Sequence, residues 1–213
     1  MSTKPILVKQ DATTERPIHS LLRHPIFALM GLRPVLGQHT HREDTALRKW
    51  ATGKSRLVEI GVAEGASAIT LREVMAPKGH IWLIDPFHLS RFQHINAMKR
   101  VAHRAVGNVK NGRVIWIGKF SLEAAKDWVG QIDFLFIDGD HSEAAVQRDW
   151  EEWSQHVIPG GIVAFHDAGT FEGGWPQPDW GPVRVVNRLF RSSALPGWRI
   201  VQEVDSLVVV QRS

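Results

Sequence analysis

From residue 57 onward the chain alternates short apolar runs with segments of helical spacing. The runs 57–61, 81–85, 114–117, 133–138 and 162–166 are nearly continuous in apolar residues, as expected of strands buried on both faces of a parallel sheet. Between them, 66–74, 92–106, 122–128 and 143–156 place apolar residues three and four apart, which predicts helices. Near the C-terminus the alternation stops. Runs 198–201 and 206–211 lie only a few residues apart, a spacing for an antiparallel hairpin and too short for a crossover. The outline is an α/β sheet of five parallel strands followed by a hairpin, with helices on both faces. Ahead of it, 45–52 reads as a helix with Ala46, Leu47 and Trp50 on one face, and 24–36 as a short helical segment interrupted by Pro25 and Pro34. Residues 1–20 show neither period and read as a loose arm, leaving 21–213 as a single domain.

In such a sheet, ligands bind beyond the carboxyl ends of the strands. The first run leads through Glu59 and Gly61 to Gly65 and Ser67. Two glycines four apart suit a close backbone approach to a ligand, and suit an ordinary strand–helix turn equally well. The dinucleotide fingerprint is broken by Ala63 and Ala66, and Glu59 would repel a pyrophosphate, so a ligand bearing a cation fits better. Asp85 at the second strand end is placed to accept from ribose hydroxyls, or to start a turn before Pro86. Ser121, after the third, either caps the helix that follows or meets an adenine edge.

The fourth strand ends in Ile137-Asp138-Gly139-Asp140-His141 and the fifth, after a turn at Pro159-Gly160-Gly161, in His166-Asp167. Carboxylates at the end of a buried strand are expensive without partners, so packing alone does not account for this cluster. His141 and His166 are candidate general bases. Trp150 and Trp153 read as core, and the neighbours His39 and His41 as an exposed polar turn. The stretch 168–182 is rich in glycine and proline yet holds Phe171, Trp175 and Trp180, which predicts either a substrate lid or an oligomer contact.

Composition removes whole classes. The 213 residues include no cysteine, which excludes a disulfide scaffold, a thiolate metal site and a cysteine nucleophile, and fits the cytoplasm. No apolar run approaches the ~20 residues that span a bilayer. The net charge is +4, but residues 51–213 carry eighteen basic and eighteen acidic side chains, so the excess lies entirely in the first fifty residues. A neutral body argues against a nucleic-acid partner.

Taken together, Glu59 through Ser67, Asp85-Pro-Phe, Ile137-Asp-Gly-Asp-His141 and Pro159-Gly-Gly through Asp167 resemble the class I S-adenosylmethionine-dependent methyltransferases. More narrowly they resemble a bacterial branch similar to macrolide-sugar O-methyltransferases and, more distantly, to catechol O-methyltransferase. The resemblance covers roughly residues 36–211. It implies a Rossmann-like seven-stranded sheet with the last strand antiparallel, and S-adenosylmethionine as cofactor. Cofactor-binding candidates are then Glu59, Gly61, Glu64, Gly65 and Ser67 on the first loop, Gln38 and Thr40 closing over the methionyl end, Asp85 on the ribose, Ser121 near the adenine, and Asp138. The resemblance also implies a magnesium site at Asp138, Asp167 and His166, with Asp138, His141 and His166 as catalytic candidates. The implied reaction is O-methylation of a small hydroxylated acceptor, and a homo-oligomer remains open. Two alternatives stand beside it: an NAD-dependent oxidoreductase, although the chain has no tyrosine to serve one, and a non-catalytic module on a methyltransferase fold.

Overall fold

A computed structural model describes residues 23–87, 96–193 and 195–213. The arm at 1–20 therefore lies outside the described residues. The strands are β1 (Arg56–Ile60), β2 (His80–Ile84), β3 (Arg113–Ile117), β4 (Ile132–Ile137), β5 (Val157–Phe165), β6 (Trp198–Val204) and β7 (Leu207–Arg212). They form one sheet in the order β3-β2-β1-β4-β5-β7-β6. Pairing is parallel from β3 to β5, while β7 runs antiparallel between β5 and β6. The helices are α1 (Pro25–Leu29), α2 (His41–Ala51), α3 (Ala66–Val74), α4 (Ala97–Asn108), α5 (Ser121–Lys126), α6 (Glu143–Ser154) and α7 (Gly181–Val186), the last continued by a π-helical turn at Asn187–Ser192.

Period-two alternation sends neighbouring strand residues to opposite faces. Leu57, Phe134, Phe136, Ile162 and Ala164 join one core with Leu47, Leu71 and Val106 of α2, α3 and α4. Val58, Ile60, Leu135, Val163 and Phe165 join the other with Val146, Trp150 and Trp153 of α6. Trp150 and Trp153 are core residues, as their spacing predicts. No helix among the described residues is long and apolar enough to cross a membrane.

Several boundaries depart from the sequence pattern, each for a local reason. α2 begins at His41, not 45, because Thr40 and Glu43 form a reciprocal capping box that satisfies the first amides. α4 begins at Ala97, not 92: Asn96 is non-helical and its side chain accepts from Lys99 N–H at 2.9 Å; residues 92–95 lie outside the described residues. Ser121 is the first residue of α5 and does not cap it, because its hydroxyl donates elsewhere, to Asp149. Pro159-Gly160-Gly161 is a bulge inside β5. Between the pairs Ile132–Val157 and Phe134–Ile162, β5 advances five positions against two on β4.

Candidate active site

Strand order reverses between β1, flanked on one side by β2, and β4 on the other, and a crevice of about 570 Å³ opens there. Along its floor the first turn is held by backbone packing. Gly61 has φ +84°, and a Cβ on it would stand 2.1 Å from the carbonyl oxygen of Asp138, so the ends of β1 and β4 approach too closely for any side chain. Gly65, φ +86°, ends the turn under Val106 of α4 and does not line the crevice.

The acids on this side are largely satisfied by the protein itself. Arg33, 5% exposed in its side chain, grips both oxygens of Glu64 at 2.6 and 2.7 Å, and Leu36 N–H adds a third bond at 3.1 Å. Glu64 thus fastens the segment before α2 onto the loop, and its charge is neutralised before any ligand arrives. Asp85 accepts from Val62 and Ala63 N–H with Oδ2 and from Phe87 N–H with Oδ1, so it shapes the loop while facing the crevice. Glu59 is fully buried beside the crevice, and one of its oxygens accepts from Ser67 at 2.5 Å while the other has no partner. Burial pushes its carboxyl well above the usual range, against the Ser67 bond, and the charges of Asp138 and Asp85 push the same way. The surroundings thus favour its protonated form. Gln38 lines the crevice. Thr40 does not: it caps α2 and donates to Asp205 at 2.6 Å. His39 is buried against Asp44 at 3.3 Å, unlike the exposed turn expected of it, whereas His41 is exposed.

At the other end β4 and β5 bring Asp138, His141, His166 and Asp167 together. His166 is 1% exposed, with Nδ1 3.1 Å from Asp138 and Nε2 3.6 Å from Glu43, just beyond hydrogen-bond reach. Burial opposes a charged ring there, but the carboxylates of Asp138, Glu43 and Asp167 outweigh it and hold the imidazole well above its ordinary value. Conversely, Asp138 is brought down to about 2: burial works against ionisation, and His166 and His141 overcome it. His141 stands differently. Its side chain is 38% exposed, and Nε2 lies 3.5 Å from both Asp138 and Asp167 with no hydrogen-bond partner. Asp138 chiefly, and then Asp167, raise its pKa against the opposing effect of burial. Asp167 sits at φ +52°, and its Oδ1 accepts from the Trp175 indole. Trp180 stacks on His141, with ring centroids 5.9 Å apart. The aromatic loop after β5 therefore packs against the strand ends from above.

One ligand atom each from Asp138, His141 and Asp167 lies within 4.8 Å of the others, a spacing that suits a metal ion. His166 does not join that set, because both its nitrogens already face carboxylates. The donors available, two carboxylates and an imidazole, fit magnesium poorly, since that ion takes oxygen almost exclusively.

Three participants escape the sequence pattern. Glu43 is fully buried, accepting from Thr40 N–H, Ser206 N–H and the Ser206 hydroxyl while facing His166; these contacts and His166 lower its carboxyl although burial works the other way. Arg33 has no distinguishing local pattern. Asp149 lines the crevice while only 3% exposed, and shares a helix face with Val146, Trp150 and Trp153. An acid on an apolar helix face was the readable signal for it, as was Thr40-x-x-Glu43 for the capping box.

Comparison with known proteins agrees with this geometry. An O-methyltransferase from Bacillus cereus, solved in complex with SAH, is 17% identical, covers 92% of each chain and superposes with a TM-score of 0.62. The O-methyltransferase TomG from Streptomyces achromogenes, involved in tomaymycin synthesis and solved with SAM, is 16% identical over 92% of this chain and 91% of its own, with a TM-score of 0.63. The N-methyltransferase NodS from Bradyrhizobium japonicum is 18% identical over 81% and 93%, with a TM-score of 0.52. At such identities the likeness is one of fold, and it spans oxygen- and nitrogen-directed enzymes alike. The family model described as a methyltransferase domain matches residues 58–168, more than half of the chain and the whole span from β1 to the acids after β5. With the class I fold and the crevice at its switch point, that match places this chain in the methyltransferase-domain family.

Proposed function

We propose that this chain transfers a methyl group from S-adenosylmethionine to a hydroxyl oxygen of a small molecule, with His141 as the general base. S-adenosylmethionine, when bound, supplies a methyl carbon on a positively charged sulfur, open to in-line attack. Asp85 accepts two backbone amides with Oδ2 and one with Oδ1, so a lone pair remains on Oδ1 for a ribose hydroxyl. Asp138 and Asp167 give the catalytic end a negative field that suits the sulfonium. The observation that carries the reading is His141 Nε2, 3.5 Å from each of these carboxylates and without a hydrogen bond to any described residue. In that position the ring takes the proton of the attacking hydroxyl, and the two carboxylates stabilise the imidazolium that results. His166, buried with both nitrogens facing carboxylates that favour its charged form, orients Asp138 and is not free to shuttle protons. Trp180 and Trp175 wall off the acceptor side and exclude water.

A second reading draws on the clustered ligand atoms of Asp138, His141 and Asp167. These three residues would hold a divalent cation, which would supply Lewis-acid activation of the acceptor hydroxyl, and His141 would then be a ligand and not the base.

Calorimetry with S-adenosylmethionine, its demethylated product and NAD tests the donor, followed by transfer assays on phenols and sugars with and without EDTA. Heat with the first two and none with NAD is expected. Turnover unchanged by EDTA supports His141 as base; turnover lost in EDTA and restored by a divalent ion supports the second reading. Absence of heat with both sulfur compounds defeats the proposal, and binding without transfer to any acceptor leaves a non-catalytic module.

A further inference from the structure

Beyond the methionine loop and Asp85, the crevice continues over the end of β3, where its character changes. Pro86, Met98, Phe120 and Leu122 line it, and Met98 and Phe120 are 39% and 49% exposed, an apolar rim facing water. Into this apolar slot projects one buried ionisable group, Asp149 of α6. Its Oδ1 accepts from the Ser121 hydroxyl, which fixes the carboxyl plane. Its Oδ2 has no hydrogen bond to any described residue and passes beside Gly139, where a side-chain carbon would lie 3.7 Å from it. Burial raises the Asp149 carboxyl to about 6, against the Ser121 bond, so at neutral pH the group still offers an acceptor. A free acceptor oxygen on a buried residue at the edge of an apolar slot suits a ligand that stacks there and carries an N–H donor on its rim.

We propose that Asp149 selects the base of the donor: its free carboxylate oxygen accepts the exocyclic amino group of adenine and rejects a purine with an oxo group at that position. The inference rests on the reading of the donor as an adenosyl compound and extends it to a residue that sequence motifs do not mark. Ser121 then acts through Asp149, orienting the carboxylate, and is not itself the group that reads the base edge. A 6-oxo purine would set its carbonyl oxygen against the carboxylate oxygen. Loss of a charge-assisted hydrogen bond of this kind costs about tenfold or more in affinity.

The test is a pair of calorimetric titrations on the full chain, with S-adenosylhomocysteine and with its deaminated analogue S-inosylhomocysteine. Wild-type protein is expected to bind the adenosyl compound at least about tenfold more tightly. In Asp149→Asn, the Ser121 hydroxyl holds the amide oxygen and turns the amide NH₂ toward the base, so the preference should narrow to parity or invert. Equal affinity of the wild type for both compounds overturns the proposal without any variant. So does a variant, folded by its thermal transition, that weakens both compounds in proportion. If the wild type binds neither compound, the donor reading itself fails and this inference with it; binding without discrimination removes the inference alone.

Discussion

The two ends of the crevice hold carboxylates in opposite states. On the β1–β2 side, Glu64 is matched by Arg33, Asp85 is enclosed by three backbone amides, and Glu59, bonded to Ser67, is pushed by burial toward its protonated form. On the β4–β5 side, Asp138 is ionised between two imidazoles, and His141 Nε2 has charged neighbours without a hydrogen bond to either. Acidic residues are plentiful at both ends, but only one end keeps ionic groups unspent. On the proposed function, the first shapes the donor site and the second handles the proton.

Replacing His141 by Asn should give the largest effect. Loss of a general base lowers turnover by about 10²–10⁴-fold while leaving S-adenosylmethionine affinity nearly unchanged, as read from single-turnover rates beside calorimetry. A rate within threefold of wild type would erase the contrast between the two ends. Next comes Arg33→Met, which strands a buried carboxylate. Breaking such a pair costs about 3–5 kcal/mol, and adding Glu64→Gln should recover much of it in urea unfolding. If the single variant costs under 1 kcal/mol, Glu64 is not neutralised as described.

Acid titration of stability separates two carboxyls by sign. Asp138, lowered to about 2, adds stability above the unfolded value near 4 and loses it as pH falls from about 4 to about 2. Asp149, raised to about 6, does the reverse: it disfavours the fold above pH 6, and that penalty fades as pH falls from about 6 to about 4. Each effect is about 2–3 kcal/mol. Urea unfolding across pH 2–7 of wild type, Asp138→Asn and Asp149→Asn should show each slope vanish in its own variant. The smallest effect is that of Ser67→Ala. Burial pushes its partner Glu59 toward the protonated form, so the loss should be about 1 kcal/mol; a loss near 3 kcal/mol, as expected for a bond to a charged group, would contradict that direction.

Much of this was legible in the chain. Apolar runs located all seven strands, and the close spacing of the last two announced the hairpin, because strand burial and hairpin geometry are local properties. The acids after β4 and β5 stood out because charged residues rarely end buried strands. What was hidden depends on partners distant in sequence. The pattern Thr40-x-x-Glu43 marks a helix start, but nothing local says that Glu43 faces His166 across two elements. Thr40 was assigned to the cofactor by family position, whereas Asp205 of the β6–β7 turn claims its hydroxyl. For Ser121 the local pattern allows either a helix cap or an adenine contact, and the partner that takes its hydroxyl, Asp149, lies on another helix.

That β6–β7 corner reaches further than its position suggests. Asp205 ties Thr40 and Arg42, and Ser206 gives both its amide and its hydroxyl to Glu43, the residue that faces His166. The same turn holds the residues after Asp167 directly, its Ser206 carbonyl accepting from the Ala168 and Gly169 amides at 2.8 and 2.9 Å, so it braces the reacting centre from two sides. Lineages that remodel this corner can retune the chemistry without altering any residue that touches a ligand.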